Sequence, residues 1–368
     1  MSKGKVVIAM SGGVDSSAAA ALLKQEGYDV SGVIMKIYDE TVAPTSCEKA
    51  HHACFGPGEE EDVADARKVA ETLGIPLHIL DLKEKYRENI IDFFVKEYLE
   101  GNTPNPCVKC NHEMKFCGII TELERRGIEF DYFATGHYAR IEYDKATNRY
   151  LLRKAVDTRK DQSYFLYRLS QEQLRRTMFP LGNYTKKEVK KLAGKLLPGL
   201  HIDDKPESQD FIAGGYHQLF TDKKHQGPIL DTRGRVIGIH HGIEHYTVGQ
   251  RRGINLSAET PLYVIAKDKD RNALIVGTQE EVLGSKLIAK YVHWITFEQL
   301  TQPLDFETKI RFQERAANAL AIPIEEDNLK VLVKFHEPQR AITPGQAVVF
   351  YDGDIVAGGG IIEKELKE

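Results

Sequence analysis

The sequence predicts an α/β fold: a doubly wound parallel sheet, then a small central β-containing domain and a C-terminal β-barrel. Three observations predict it. A buried apolar run at Val6–Met10 breaks off in Ser-Gly-Gly and enters an Ala/Leu-rich helix, and strands keep alternating with helices to about residue 140. Beyond about residue 182 this rhythm yields to short runs between Gly-rich turns, from Gly227 to Gly277. From 285 to 364 apolar and polar positions alternate, as in Leu329–Phe335 and Ala347–Tyr351, the pattern of a small barrel. The expected domains are 1–210, 211–280 and 281–368, as suits a chain of 368 residues.

Taken in order, Asp29–Ile37 is the second strand. Glu60–Leu73 is a helix with Val63, Ala66, Ala70 and Leu73 along one stripe. Leu77–Leu82 is the third strand and Asp131–Tyr138 the fourth. Ligands of such sheets sit beyond the carboxyl ends of the strands, so the first loop and the Thr135-Gly136-His137 turn should share one edge. Thr185-Lys-Lys-Glu188 reads as a capping box, opening a helix that turns Val189, Leu192, Ala193 and Leu196 inward. Lys186, Lys187, Lys190, Lys191 and Lys195 form its basic face, a solvated surface or a phosphate contact. The His240-His241 pair has no third ligand at suitable spacing and reads as a turn or an RNA contact.

Composition excludes several classes. The chain is 42% apolar and 28% charged, without a run able to span a bilayer, and Lys3 and Lys5 lead directly into a strand rather than a signal segment. A net charge of −4 gives no global nucleic-acid signature, so RNA binding must rest on local basic patches. Five cysteines, all before position 118, do not resemble a secreted disulfide framework. The expectation is a cytoplasmic monomer with no membrane partner.

Two stretches carry chemistry. Ser11-Gly-Gly-Val-Asp-Ser-Ser17, between strand and helix, offers close backbone approach, hydroxyl donors and a helix N-terminus to a phosphate. It lacks Walker spacing. Asp15 orients a magnesium ion or caps the helix. In Gly101-Asn-Thr-Pro-Asn-Pro-Cys107-Val-Lys-Cys110, Pro104 and Pro106 stiffen an extended segment. The cysteines then fall at a helix start, where the dipole favours thiolate. Cys117 reads as packing. Cys47, His51, His52 and Cys54 form a further cluster, a zinc site or a loop with incidental thiols.

The first stretch resembles the signature of PP-loop ATP pyrophosphatases, which split ATP into AMP and pyrophosphate while activating a carbonyl oxygen. The second resembles the active-site loop of the tRNA-specific 2-thiouridylases, the MnmA (TrmU) family. So do Ala134-Thr-Gly-His-Tyr-Ala-Arg140, Lys160-Asp-Gln-Ser-Tyr-Phe-Leu166, Phe179-Pro-Leu-Gly182, Tyr246-Thr-Val-Gly-Gln-Arg-Arg-Gly253 and Thr343-Pro-Gly-Gln-Ala347.

The resemblance implies ATP-dependent replacement of O2 by sulfur in the wobble uridine, position 34, of tRNA. It implies ATP and Mg2+ as cofactors, with tRNA and a sulfur donor as partners, the donor being a cysteine desulfurase or sulfur-carrier protein. ATP would be held by Ala9, Met10, Ser11, Gly12, Gly13, Val14, Asp15, Ser16 and Ser17, with Met35 beside the adenine and Gly136 completing the pocket. Asn105, Pro106 and Cys107 would face the target base, and Cys110 would be the catalytic nucleophile, with Cys107 and Asp15 also catalytic. Lys160, Asp161, Gln162, His137, Arg311, Phe312 and Gln346 match tRNA-contact positions.

One departure stands out. The family's second cysteine, the persulfide carrier, normally follows a Lys-Pro-Asp/Glu-Ser-Gln-Glu/Asp stretch as Ile-Cys-Phe-Ile. Here the chain reads Lys205-Pro-Glu-Ser-Gln-Asp210-Phe211-Ile212. Sulfur then travels either on a Cys110 persulfide resolved by Cys107, or on an iron–sulfur cluster held by Cys107, Cys110 and Cys54 or Cys47. The competing readings are a PP-loop ligase or amidotransferase of the argininosuccinate-synthase or GMP-synthase kind, and a non-catalytic tRNA-binding paralogue.

Overall fold

The structure is a computed structural model that describes residues 2–42, 53–200, 210–220 and 225–367. The expectations for Cys47, His51, His52 and the Lys205–Gln209 stretch fall outside the described residues. The chain forms two compact units. One comprises Met1–Ile90, Cys107–Tyr216 and Asp354–Val356, and the other Ile91–Pro106, His217–Gly353 and Ala357–Glu368.

The first unit is built on strands β1 (Lys5–Ala9), β2 (Asp29–Lys36), β3 (Ala53–Phe55), β4 (Leu77–Asp81), β5 (Tyr132–Thr135), β6 (Ala139–Asp144), β7 (Arg149–Lys154), β8 (Thr177–Met178) and β9 (Asp210–Ile212). A five-stranded parallel sheet runs in the order β4-β2-β1-β5-β8. Its central strand is an apolar run because both faces are covered, and Val6, Val7 and Ile8 are each at most 1% exposed. Two major covering helices are α1 (Val14–Gln25) and α2 (Glu59–Leu73).

The predicted fourth strand is shorter than expected. Asp131 bonds β1 just before the strand, its amide donating to Lys5 O at 2.9 Å and its carboxylate accepting the Lys5 amide at 2.8 Å, and the chain turns after Thr135. β6 and β7 form a hairpin, and a separate parallel pair joins β3 to β9.

Further helices are α3 (Lys83–Tyr86), α4 (Phe93–Leu99, in the second unit), α5 (Pro106–Cys110), α6 (Ile120–Arg125), α7 (Gln171–Arg175) and α8 (Lys186–Leu196). α8 carries the expected capping box, and Val189 and Ala193 are fully buried in the cluster that contains α1.

In the second unit, β10 (Gly227–Leu230), β11 (Val236–His240), β12 (Tyr263–Asp268) and β13 (Ala273–Gly277) form a sheet ordered β11-β10-β13-β12. β14 (Leu283–Trp294), β15 (Leu304–Lys309), β16 (Ala317–Pro323), β17 (Val331–Arg340), β18 (Ala347–Asp352) and β19 (Ile355–Glu365) form the barrel. The order β14-β17-β16-β15-β18-β19 closes through the β14–β19 pairing. Trp294, Phe306 and Phe350 meet inside it at centroid distances of 5.2–5.8 Å. Among the described residues no helix is long and apolar enough to cross a membrane.

Candidate functional site

The loop after β1 has the geometry of an anion cradle. α1 starts at Gly13 without a side-chain cap, so its first amides have no side-chain acceptor and point out of the helix end. Ser16 ties the loop: its Oγ accepts the Ser11 amide at 3.1 Å and lies 3.2 Å from Ser11 Oγ. Ser17 Oγ donates to Gly13 O at 2.8 Å. Gly12 has φ of +68°, and a Cβ there would stand 2.6 Å from the Asp62 carbonyl of α2, so both conformation and space require glycine. Of the loop, Ser11 is exposed, Ala9, Gly13 and Asp15 are half-buried, and Met10, Gly12, Val14, Ser16 and Ser17 are buried. Met35 is half-buried on β2, opposite Leu80 of β4. Gly136 packs against this loop's helix, where a Cβ would lie 2.8 Å from the Ser16 nitrogen.

Asp15 is not open as a ligand or cap. Tyr138 Oη donates to Asp15 Oδ1 at 2.7 Å, and Lys186 Nζ donates to Oδ1 and Oδ2 at 2.8 and 2.7 Å. Lys186 therefore does not belong to the outer basic face of α8. Sequence spacing put it there, but the partner that draws it inward lies 171 residues away.

Four cysteines are described, all as free thiols: Cys54, Cys107, Cys110 and Cys117. α5 begins at Pro106 and runs into a π-helix over Asn111–Ile119. The expected lowering of the thiol pKa at this helix start does not occur. Burial pushes Cys107 up to about 12 and Cys110 up to about 11. The Cys54 thiol adds to both shifts, while Lys115 opposes them. The Cys107 residue reaches the surface, yet its sulfur is crowded by neighbouring atoms, and that desolvation outweighs the helix-start field.

Tyr86, only 1% exposed, lies among the same three thiols; burial and their proximity raise its hydroxyl well above its usual range. Its ring stacks on Phe55 at 5.6 Å. Cys54 sits between Ala53 and Phe55, which pair with Asp210 and Ile212, so it lies on the strand alongside Phe211. The thiols thus interact, but among the described residues no three His, Cys, Asp or Glu side chains are placed to hold a metal ion. That does not match the expected ligand set of Cys54, Cys107 and Cys110. Cys117 meets Gln173 Nε2 at 3.5 Å and serves packing.

Several expected RNA contacts are occupied within the fold. His137 is 8% exposed, its Nδ1 lies 2.7 Å from Thr135 Oγ1, and its ring packs beside Phe116 and Phe179. Burial, with Lys115 nearby, holds its pKa well below the ordinary value. Asp161 accepts the Ala155 amide at 2.9 Å and the Ser163 hydroxyl at 2.8 Å, and Gln162 Oε1 accepts the Tyr138 amide at 2.9 Å. The Lys160 amide donates to Asp157 O at 2.9 Å, and the residue is half-buried.

In the second unit, Arg311 donates to Val248 O, Ala341 O and Thr343 Oγ1 at 2.8, 3.2 and 2.7 Å. The Phe312 carbonyl accepts Lys309 Nζ at 2.7 Å. Gln346 Nε2 donates to Thr103 O at 2.8 Å, and Lys267 Nζ to Asn102 O at 2.9 Å, so both grip the segment that leads to Asn105 and Pro106. Asn105 and Pro106 are half-buried. His240 is a structural residue, fully buried, with Nε2 2.9 Å from Asn272 O. Tyr86, Lys115 and Lys267 escaped the sequence reading, as did the pairing of Tyr138 and Lys186 with Asp15, because only long-range contacts single them out.

Residues 4–213 match the tRNA methyl transferase HUP domain, 218–278 the tRNA methyl transferase PRC-barrel domain and 284–362 the aminomethyltransferase beta-barrel domain. The chain is 47% identical over 370 residues to tRNA-specific 2-thiouridylase MnmA 2 of Thermoanaerobacter sp. strain X514, covering 99% of both. It is 44% identical to tRNA-specific 2-thiouridylase MnmA of Endomicrobium trichonymphae, covering 97% of this chain and 98% of that one.

Likenesses among solved structures are slighter. A 4-thiouridine synthetase–RNA complex with bound ATP shares 18% identity at a TM-score of 0.33, covering 58% of this chain and 46% of that one. A predicted subunit of tRNA methyltransferase from Methanocaldococcus jannaschii shares 19% at 0.30, covering 52% and 74%. With identities of 44–47% over nearly the full length of both sequences, the chain belongs to the tRNA-specific 2-thiouridylase family.

Proposed function

We propose that this protein is a cytoplasmic tRNA-uridine 2-sulfurtransferase that uses ATP to replace O2 of the wobble uridine by sulfur. The observation that carries the reading is the full-length identity to 2-thiouridylases in a chain that keeps both the Ser11–Ser17 loop and Cys110. A PP-loop ligase would not need the Cys107-x-x-Cys110 loop, and a binding relic would not need an uncapped phosphate cradle. We set the domain boundaries near 210 and 280, a division that the three matched regions support.

Uracil O2 is a poor leaving group. It attacks the α-phosphorus of ATP, pyrophosphate departs, and the oxygen then leaves as part of AMP when sulfur adds to C2. In this reading the α1 amino end and the exposed Ser11 hold the phosphates, while Ser17, whose hydroxyl is spent on Gly13 O, shapes the turn. Met35 borders the adenine and Gly136 allows close approach. Mg2+ would supply charge stabilisation on the phosphates, but Asp15, held by Tyr138 and Lys186, is not open to hold it here.

Sulfur delivery falls to the three thiols. Cys54, on the strand beside Phe211, stands next to where relatives carry their second cysteine, and we assign it the persulfide. A donor persulfide transfers its outer sulfur to Cys54 and leaves as a thiol. The terminal sulfur attacks C2, AMP departs, and Cys110 attacks Cys54 Sγ. This releases 2-thiouridine and forms a Cys54–Cys110 disulfide that a thiol reductant reopens. Lys115 is the cation that favours the attacking thiolate. The described residues present no three-ligand set, and Cys47, the alternative third ligand, lies outside them; the steps here are therefore written for thiols alone.

Nucleoside analysis of tRNA treated with the full chain, ATP and a persulfide donor tests this. Wild type should form 2-thiouridine at position 34, and Cys54→Ala and Cys110→Ala should not. Full activity in Cys54→Ala, or brown anaerobic protein whose iron and sulfide vanish in that variant, would overturn the persulfide assignment.

A further inference from the structure

Lys186 is aimed by the fold. Its amide donates to Asp157 Oδ2 at 3.1 Å, and the Thr185–Glu188 capping box fixes the turn around it. The side chain keeps only 12% of its surface, and the ammonium lies 5.9 Å from the Tyr138 ring centre while gripping both oxygens of Asp15.

Asp15 stands in the first turn of α1, beside the Ser11–Gly13 loop. A bare carboxylate there would repel an incoming polyphosphate. Lys186 cancels that charge, and its ammonium is a compact donor on a flexible stem, the type of group that suits phosphate. We propose that Lys186 is a phosphate-binding residue, held on Asp15 until the β- and γ-phosphates arrive and then shared with them. This rests on the nucleotide reading of the Ser11–Ser17 loop. If Lys186 only cancelled the Asp15 charge, its loss would not matter once Asp15 is neutral. Direct contact instead requires that, on an Asp15→Asn background, Lys186→Met still weaken pyrophosphate by several-fold, and an unchanged affinity there overturns it.

Equilibrium binding of ATP, AMP and inorganic pyrophosphate to the full chain, without tRNA, separates the two. In Lys186→Met, ATP and pyrophosphate should weaken by about tenfold or more, while AMP changes by less than about twofold and the protein stays folded. Unchanged ATP affinity in folded Lys186→Met protein overturns the proposal. A second arm needs no variant: acetic anhydride should label Lys186 in wild type less in the presence of ATP than of AMP. Equal labelling also overturns it. Wild type that binds neither nucleotide would fail the nucleotide reading itself, whereas normal wild-type binding with an indifferent variant fails only the role of Lys186.

Discussion

Gly136→Ala tests how closely β5 and α1 approach. The added Cβ would stand 2.8 Å from Ser16 N and 3.0 Å from Asp15 C and Ser16 Cα, all backbone atoms that cannot rotate away. Ordinary contact begins near 3.4 Å, so the start of α1 must retreat by the difference, about 0.6 Å. Behind it, Ala18, Ala19, Ala20 and Leu23 are fully buried, so the core resists. Overpacking of this kind costs about 1–3 kcal/mol, a few degrees of melting temperature for a chain this long. Function should suffer more, since misplacement by about 1 Å can cost about a hundredfold. The assay is kcat/KM for ATP-dependent thiolation beside thermal unfolding, with a loss of about tenfold or more expected. Gly194→Ala is the control: this exposed α8 residue has nothing within 4 Å, and alanine should stabilise the helix by about 0.5–1 kcal/mol. If Gly136→Ala kept both melting temperature and kcat/KM, the steric reasoning would be refuted.

Other predictions concern charge and loop support. Burial lowers Lys267 to about 7 from 10.5, so the unfolded chain binds the extra proton between those values and wild-type stability rises across that range. Lys267→Met should lose, as pH rises from about 7 to about 10, a relative stability advantage on the order of a few kcal/mol in urea unfolding; a flat difference would show the lysine stays charged. His137 is depressed by burial, so its contribution is present above about 6.5 and fades as pH falls below that value, a slope that His137→Gln should lack. Gln346→Ala removes the donor to Thr103 O, costing about 0.5–1.5 kcal/mol. It should speed amide exchange at Thr103 with little change in tRNA affinity, whereas a large affinity loss with unchanged exchange would mark Gln346 as an RNA contact.

The sheet was legible because its signals are local. The apolar run at Val6–Met10, the stripe through Val63, Ala66, Ala70 and Leu73, and the Thr185–Glu188 box each encode a period or cap within a few residues. The barrel followed from alternation alone. What stayed hidden was pairing across the chain. Nothing local tells Ala53–Phe55 to lie beside Asp210–Ile212, and that pairing decides where Cys54 goes. Lys186 looked like one more surface lysine until Asp15 was seen opposite it. The thiols misled for another reason: the helix-start argument was sound in direction, but burial of the sulfurs outweighs it. His137 was correctly placed at a strand end, while its enclosure by Phe116 and Phe179 needed the fold.

The central claim, adenylation of the uracil oxygen before sulfur addition, is tested most directly by isotope transfer. Transfer RNA carrying oxygen-18 at O2 of uridine 34 is incubated with the full chain, ATP and a persulfide donor. The products are read by mass spectrometry. The account predicts one oxygen-18 in the phosphate of AMP for each 2-thiouridine formed, with pyrophosphate released in equal amount. Unlabelled AMP, or ADP and phosphate in its place, would contradict it.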